Sequence, residues 1–208
     1  MISRRPGRNR LRSLGILALL TGFTLVLTAS LAQRGQASFT DQDTLTANNF
    51  TSAVSTGFKS PSATGDDYSQ WTNPTNAFAS DDNDALEDRN GQRQDWYNFS
   101  FSLPAGATID RIEVTVEGED PNWSGNGTDV ELSWDGGASY TTTSYGATWP
   151  GGSEVTNTFG GGWVDTWGRT WSDAEFSDAN FRVRLTKTGA DFVGFNVDHI
   201  QVKVYYLP

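Results

Sequence analysis

The stretch Phe195-Asn196-Val197-Asp198-His199-Ile200-Gln201-Val202-Lys203-Val204-Tyr205-Tyr206 decides the fold. Apolar and polar residues alternate along it, the period-two signature of a half-buried β-strand. Phe195 and Val197 share one parity, whereas Ile200, Val202, Val204 and Tyr206 share the other. The phase slips at Asp198-His199. A slip of this kind turns every later side chain to the wrong face unless an extra residue absorbs it, so the pattern predicts a β-bulge at that dipeptide.

Working outward, the same period recurs. Ile112, Val114 and Val116 alternate with Arg111, Glu113, Thr115 and Glu117, and Val130, Leu132 and Trp134 alternate with Glu131 and Ser133. Phe181, Val183 and Leu185 alternate with Arg182 and Arg184. Tyr97, Phe99, Phe101 and Leu103 alternate with Asn98, Ser100 and Ser102, which predicts a further strand ending at the Pro104-Ala105-Gly106 turn. Asp135-Gly136-Gly137 is a hairpin signal leading into Tyr140–Tyr145. Only Trp171–Ala179 suggests helix, a turn or two at most. Short strands separated by glycine-rich turns predict an all-β protein, a jelly-roll-like β-sandwich over residues 68–208.

The N-terminus reads differently. Arg4, Arg5, Arg8, Arg10 and Arg12 precede an uncharged, mostly apolar run from Leu14 to Leu31, and small residues follow. This is the pattern of an export signal, with the charges held on the cytoplasmic side. Cleavage after Ala37 is favoured over cleavage after Ala32 or retention as an anchor. Residues 1–37 form the expected signal peptide, the one part of the chain expected to meet a membrane. Residues 38–67 form an extended leader with Phe39, Leu45, Phe50, Val54 and Phe58 as scattered apolar positions. The expected location is secreted or at the cell surface.

All 25 acidic residues follow residue 37, against nine Lys and Arg in the same stretch. Such a surface repels nucleic acid and anionic lipid. There is no Cys, so no disulfide stabilises the domain, and the single His199 excludes a multi-His zinc site. No nucleophile elbow, HExxH or phosphate loop occurs, and carboxylate pairs such as Glu117/Glu119 or Asp173/Glu175 arise by chance in so acidic a chain. No enzymatic activity and no cofactor other than Ca2+ is expected.

Phe39-Thr40-Asp41, followed by Asn49-Phe50-Thr51-Ser52-Ala53, resembles the mature N-terminus of the TasA/camelysin class of exported biofilm-fibre proteins. The two Phe lie eleven positions apart, as in that class. The chain departs from it in continuing as Val54-Ser55-Thr56-Gly57-Phe58 rather than as Gly-x-Leu-x-Leu. The resemblance implies a fibre, pilus or matrix subunit that gives its leader to a neighbouring copy by β-strand addition, with Phe39, Leu45, Phe50, Val54 and Phe58 as the inserted knobs. Such head-to-tail transfer builds filaments. Residues 68–206, through phrases such as LPAGATIDRIEVTVEGE and WGRTWSDAEFSDANFRVRL, resemble an uncharacterised β-sandwich of secreted prokaryotic and viral proteins. The last strand is similar to that of jelly-roll carbohydrate-binding modules. The alternative reading is therefore a secreted carbohydrate-binding or adhesive module with polysaccharide as partner. A capsid or virion decoration is a third.

Three kinds of site are expected on the residues themselves. Asp81, Asp82, Asn83 and Asp84, with Glu87 and Asp88 nearby, concentrate oxygen ligands suited to Ca2+, with Asp66, Asp67 or Asp198 completing the shell. Trp123, Trp149 and Trp163 lie in polar, glycine-rich contexts and are candidates to stack on sugar rings, whereas Trp134, Trp167 and Trp171 are expected to pack. Asn122 and Asn126 fit the N-glycosylation pattern within one loop.

Overall fold

The computed structural model describes residues 52–142 and 144–208; the expected signal peptide and Phe39, Leu45 and Phe50 lie outside them. Among the described residues ten strands build two antiparallel sheets. One sheet holds β1 (Val54–Ser55), β10 (Phe195–Leu207), β5 (Thr108–Glu119) and β8 (Val155–Gly160) in that order, and β3 (Ala85–Glu87) pairs along β10 as well. The other holds β2 (Ala63–Ser69), β4 (Arg93–Tyr97), β9 (Arg182–Thr188), β6 (Gly127–Ser133) and β7 (Tyr145–Thr148). From β3 onward the chain crosses between sheets at nearly every connection, the jelly-roll habit.

The alternation in the sequence sets the core. Ile112, Val114 and Val116 of β5 and Ile200, Val202 and Val204 of β10 face Trp96, Val130, Leu132, Val183 and Leu185 of the second sheet in one buried cluster. Removing each such aliphatic side chain from water contributes about 1.5–3 kcal/mol, so these two inner faces hold the sandwich together. The bulge stands where the phase slip puts it: Val197 pairs with Gly118 and His199 with Glu117, leaving Asp198 as the extra residue. Gly118 is required there, because a Cβ at this position would lie 2.3 Å from the Asn196 carbonyl oxygen.

The strand expected over 97–103 ends at Tyr97. Asn98 and Ser100 adopt left-handed backbone (φ 63° and 55°), which breaks an extended ladder. The alternate aromatics still point inward. Phe99 and Phe101 stack and meet Phe176 and Phe181 edge-on, closing one end of the sandwich while the chain crosses between sheets. The helical turn expected near Trp171 is a short 3-10 turn at Asp173–Phe176. Glu175 accepts the Ser172 N–H (2.7 Å) and a contact from Arg169 (2.7 Å).

The leader assignment needs correction at its C-terminal part. Val54 and Ser55 pair with Tyr206 and Tyr205 of the chain's own β10, and Lys59 bridges Val202. The Phe58 ring lies beneath the Lys203 ammonium at 4.1 Å. Val54 and Phe58 thus lie along the chain's own β10 and are 42% and 40% exposed. With β3 pairing residues 195–197 and Phe78 bridging His199, the outer edge of β10 is lined by its own chain at several points along its length.

Candidate functional site

Two features meet where β5, β8 and β10 approach the β5–β6 loop. The first is acidic. Asp84 immediately precedes β3, Glu154 immediately precedes β8, and Asp198 is the bulge residue of β10. One carboxylate oxygen from each lies within 4.8 Å of the other two. Asn196 steadies the group from β10, its amide donating to Asp84 (2.9 Å) and Glu119 (3.3 Å). Asp82 and Glu119 line the same depression, whose volume is about 190 Å³.

Asp198 is fully buried. Its Oδ1 accepts the Asp81 backbone N–H at 3.2 Å, and its Oδ2 has no hydrogen-bond partner. The carboxyls suppress one another's ionisation. Burial, then Asp198, Glu117, Asp84 and Asp82, push Glu154 up to about 7. Burial first and then Glu119 raise Asp84, and burial raises Asp198 against the help of the Asp81 N–H. His199, next along β10, is lowered mainly by burial and is hydrogen-bonded through Nε2 to the Ser60 hydroxyl at 2.8 Å.

Of the expected cation ligands, the fold brings Asp84 and Asp198 together and places Asp82 beside them. Asp81 contributes its backbone N–H to Asp198. Two need correction. Asn83 turns back on Asp81, and Glu87 spends its carboxylate on the backbone N–H groups of Asp88 and Arg89. Glu87 also lines a different depression, with Thr72, Leu86, Asp88 and Gly194. The side chains of Asp66 and Asp67 lie outside the described residues. Glu154 is the member sequence reading missed: it is seventy positions from Asp84, and no local acidic run announces it.

The second feature is an aromatic loop. Buried Asp120, at the end of β5, gathers the loop that follows. Its carboxylate accepts the backbone N–H of Asn122 (3.2 Å), Ser124 (2.8 Å) and Asn126 (3.0 Å), and the Ser124 hydroxyl as well. Within this clasp Trp123 takes left-handed backbone (φ 55°) and stands 76% exposed. Its ring rests on the Gly151-Gly152 backbone. A Cβ at Gly151 would come within 2.4 Å of the indole, and one at Gly152 within 2.8 Å, so both must be glycine for the ring to sit there. The Gly152 N–H donates to the Asp120 carbonyl at 3.1 Å, locking the two segments together.

Asn126 is the hub behind this loop. Its amide donates to Ser124 Oγ and to the carbonyls of Val193 and Gly194, and its Oδ1 accepts the Ala190 N–H. The fully buried Lys187 also donates to Asn126 Oδ1 and to the Ala190 carbonyl. Asn126 is thus excluded as a glycosylation acceptor: it has no exposed surface and its amide is consumed, whereas Asn122 is exposed. The same bonds fix the β9–β10 loop, on which Phe192 is 77% exposed.

The tryptophans divide. Trp149 is 2% exposed, packs against Phe195 at 4.9 Å and donates its indole N–H to the Val155 carbonyl, so it belongs to the core and not to a sugar platform. Trp167 and Trp171 are buried as expected. Trp134 is only partly buried and packs edge-on to Trp171, with the Arg169 guanidinium stacked on it. Trp163 is 94% exposed, but it lies in the β8–β9 loop, which joins the opposite end of β5 through the Ile112–Asp165 backbone bond. Trp123 and Trp163 therefore do not form one surface.

No family model matches the chain, and no curated protein matches it. Distant likenesses exist among solved structures. One is to a "Family 16 Carbohydrate Binding Module-2" (TM-score 0.36, 14% identity, 64% of this chain and 89% of that one). A second is to TmCBM61 in complex with beta-1,4-galactotriose (0.33, 14%, 63% and 77%). A third is to the CBM36-1 domain of a multidomain xylanase from the hindgut metagenome of Trinervitermes trinervoides (0.33, 13%, 74% and 94%). At such scores neither fold nor function transfers from those proteins to this chain.

Proposed function

We propose that this protein is an exported, non-catalytic carbohydrate-binding β-sandwich that stacks Trp123 on the face of a sugar ring. The observation that carries the reading is the mounting of that side chain. A large apolar ring held 76% exposed gains nothing for the fold, yet Asp120, Gly151 and Gly152 are all committed to keeping it there. A flat, pre-positioned indole suits the apolar face of a pyranose, because little side-chain freedom is lost on binding. The carboxylates lining the adjacent depression accept hydrogen bonds from hydroxyls, which suits a neutral, polyhydroxylated ligand and disfavours an anionic one. Export is supported by the arginine head and the apolar run before residue 38. The fibre reading is the weaker one, since Val54–Lys59 pair with β10 of the same chain.

The test is tryptophan fluorescence and affinity electrophoresis against a panel of neutral plant, fungal and bacterial polysaccharides. The protein is expected to be retarded by at least one, Trp123→Ala to abolish that retardation with the thermal midpoint unchanged, and Trp163→Ala to leave it intact. Retardation by none of the panel, or equal retardation of the protein and Trp123→Ala, overturns the reading.

A further inference from the structure

We infer that Asp84, Glu154 and Asp198 form a divalent-cation site and that Ca2+ is its ion. Three observations converge. First, the geometry fits one ion. Calcium–oxygen bonds run about 2.3–2.6 Å, so oxygens on one ion are separated by up to about 5 Å. The three carboxylates place an oxygen each within 4.8 Å of one another although they come from three separate segments of the chain.

Second, Asp198 is fully buried and its Oδ2 lacks any hydrogen-bond partner. Leaving a buried carboxylate oxygen unpaired is unfavourable, and a cation at the triad would offset that. The three carboxylates also crowd one another, with Asp82 and Glu119 lining the same depression. Repulsion of that kind is what a dication relieves.

Third, the donor set selects the ion. All candidate ligands are carboxylate oxygens, with Asp82 and Glu119 at the rim of the same depression. Hard oxygen donors in a site open to water suit Ca2+, whose coordination of six to eight is completed by solvent. The neighbouring His199 ring is engaged with Ser60 and is not among the three, so a zinc-type centre is disfavoured. The inference does not rest on the sugar-binding reading.

The experiment uses the purified protein, stripped with a chelator and dialysed, with calcium chloride alone as titrant. Calorimetry is expected to show one ion bound per chain, and calcium is expected to raise the thermal midpoint. Glu154→Gln, at an exposed position, is expected to weaken Kd by at least about tenfold, and Asp198→Asn, which keeps the acceptor for Asp81, to do the same. Glu87→Gln leaves Kd unchanged. No heat and no thermal shift at millimolar calcium overturns the inference. So does binding that Glu154→Gln and Asp198→Asn leave untouched, since that would be generic attraction to an acidic surface. No sugar enters this test, so its outcome is separate from that of the Trp123 experiments.

Discussion

The Tyr145 hydroxyl donates to Asp165 Oδ2 at 2.5 Å, tying the edge strand β7 to the β8–β9 loop. The same ring meets Trp167 edge-on at 4.7 Å. Burial, and then the bond and charge of Asp165, push the Tyr145 hydroxyl up to about 12 from its ordinary 10. A folded-state pKa above the unfolded value means stability that is complete below pH 10 and is lost as pH rises toward 12. Denaturant midpoints measured from pH 8 to 12 should therefore fall more steeply for the native protein than for Tyr145→Phe across that window. Parallel curves would show that the bond does not hold the proton.

Trp167 takes left-handed backbone (φ 58°), is fully buried and donates its indole N–H to the Ile112 carbonyl at 3.0 Å. Truncation removes the packing of a large ring and one of two hydrogen bonds to the Ile112 carbonyl, which keeps the Gly161 N–H at 2.9 Å. Trp167→Ala is expected to lose about 3–5 kcal/mol in urea unfolding. Trp163→Ala, at a 94% exposed position, stays within about 0.5 kcal/mol. Equal effects of the two would contradict the division of tryptophans drawn above.

Asp120 couples fold to site. Burial alone would raise its pKa, but the N–H groups of Asn126 and Asn122, with the hydroxyl and N–H of Ser124, outweigh burial and lower it. A depressed folded-state pKa contributes stability that is present above the unfolded value near 3.8 and disappears as pH falls below it. Asp120→Ala orphans three loop amides, and we expect it to cost about 1–3 kcal/mol at pH 7. The gap from the native protein should narrow below pH 4. Polysaccharide retardation should fall with it, because the loop that aims Trp123 loses its clasp.

Much of this fold was legible because a half-buried strand writes its inward face into every second residue. The parity of Ile112, Val114 and Val116, and the slip at Asp198, located β5, β10 and the bulge without coordinates. Parity failed at 97–103, where aromatic alternation comes from an end-capping cluster and left-handed Asn98 and Ser100 exclude a strand. The site was half legible. Local acid density points to Asp84, whereas Asp198 enters only beside Asp66 and Asp67 as an acid to complete the shell, and the slip marks it as a bulge and not as a ligand. Glu154 arrives through β5–β8 pairing, a long-range fact with no local signature. Likewise a glycine-rich context did not separate Trp149 from Trp123. The glycines around Trp123 make room for its ring, whereas the Trp149 indole is drawn inward by Phe195 and the Val155 carbonyl.

The edge of β10 decides whether the molecule can polymerise through its leader. Thr56 N–H donates to the Val204 carbonyl, Lys59 and Val202 exchange both backbone bonds, and Val204 N–H donates to the Thr56 hydroxyl. Removing residues 1–53 leaves all of these intact, so that form should remain monomeric in light scattering. Removing residues 1–60 strips them and exposes a long strand edge carrying Val202, Val204 and Tyr206, a template for edge-to-edge pairing. The shorter form is expected to lose about 2–5 kcal/mol and to self-associate. A synthetic peptide of residues 52–60 should restore the monomer by re-covering the edge in trans. If the peptide fails while the 1–53 deletion already drives association, the β1–β10 pairing is not what closes this edge, and strand exchange between copies regains its standing.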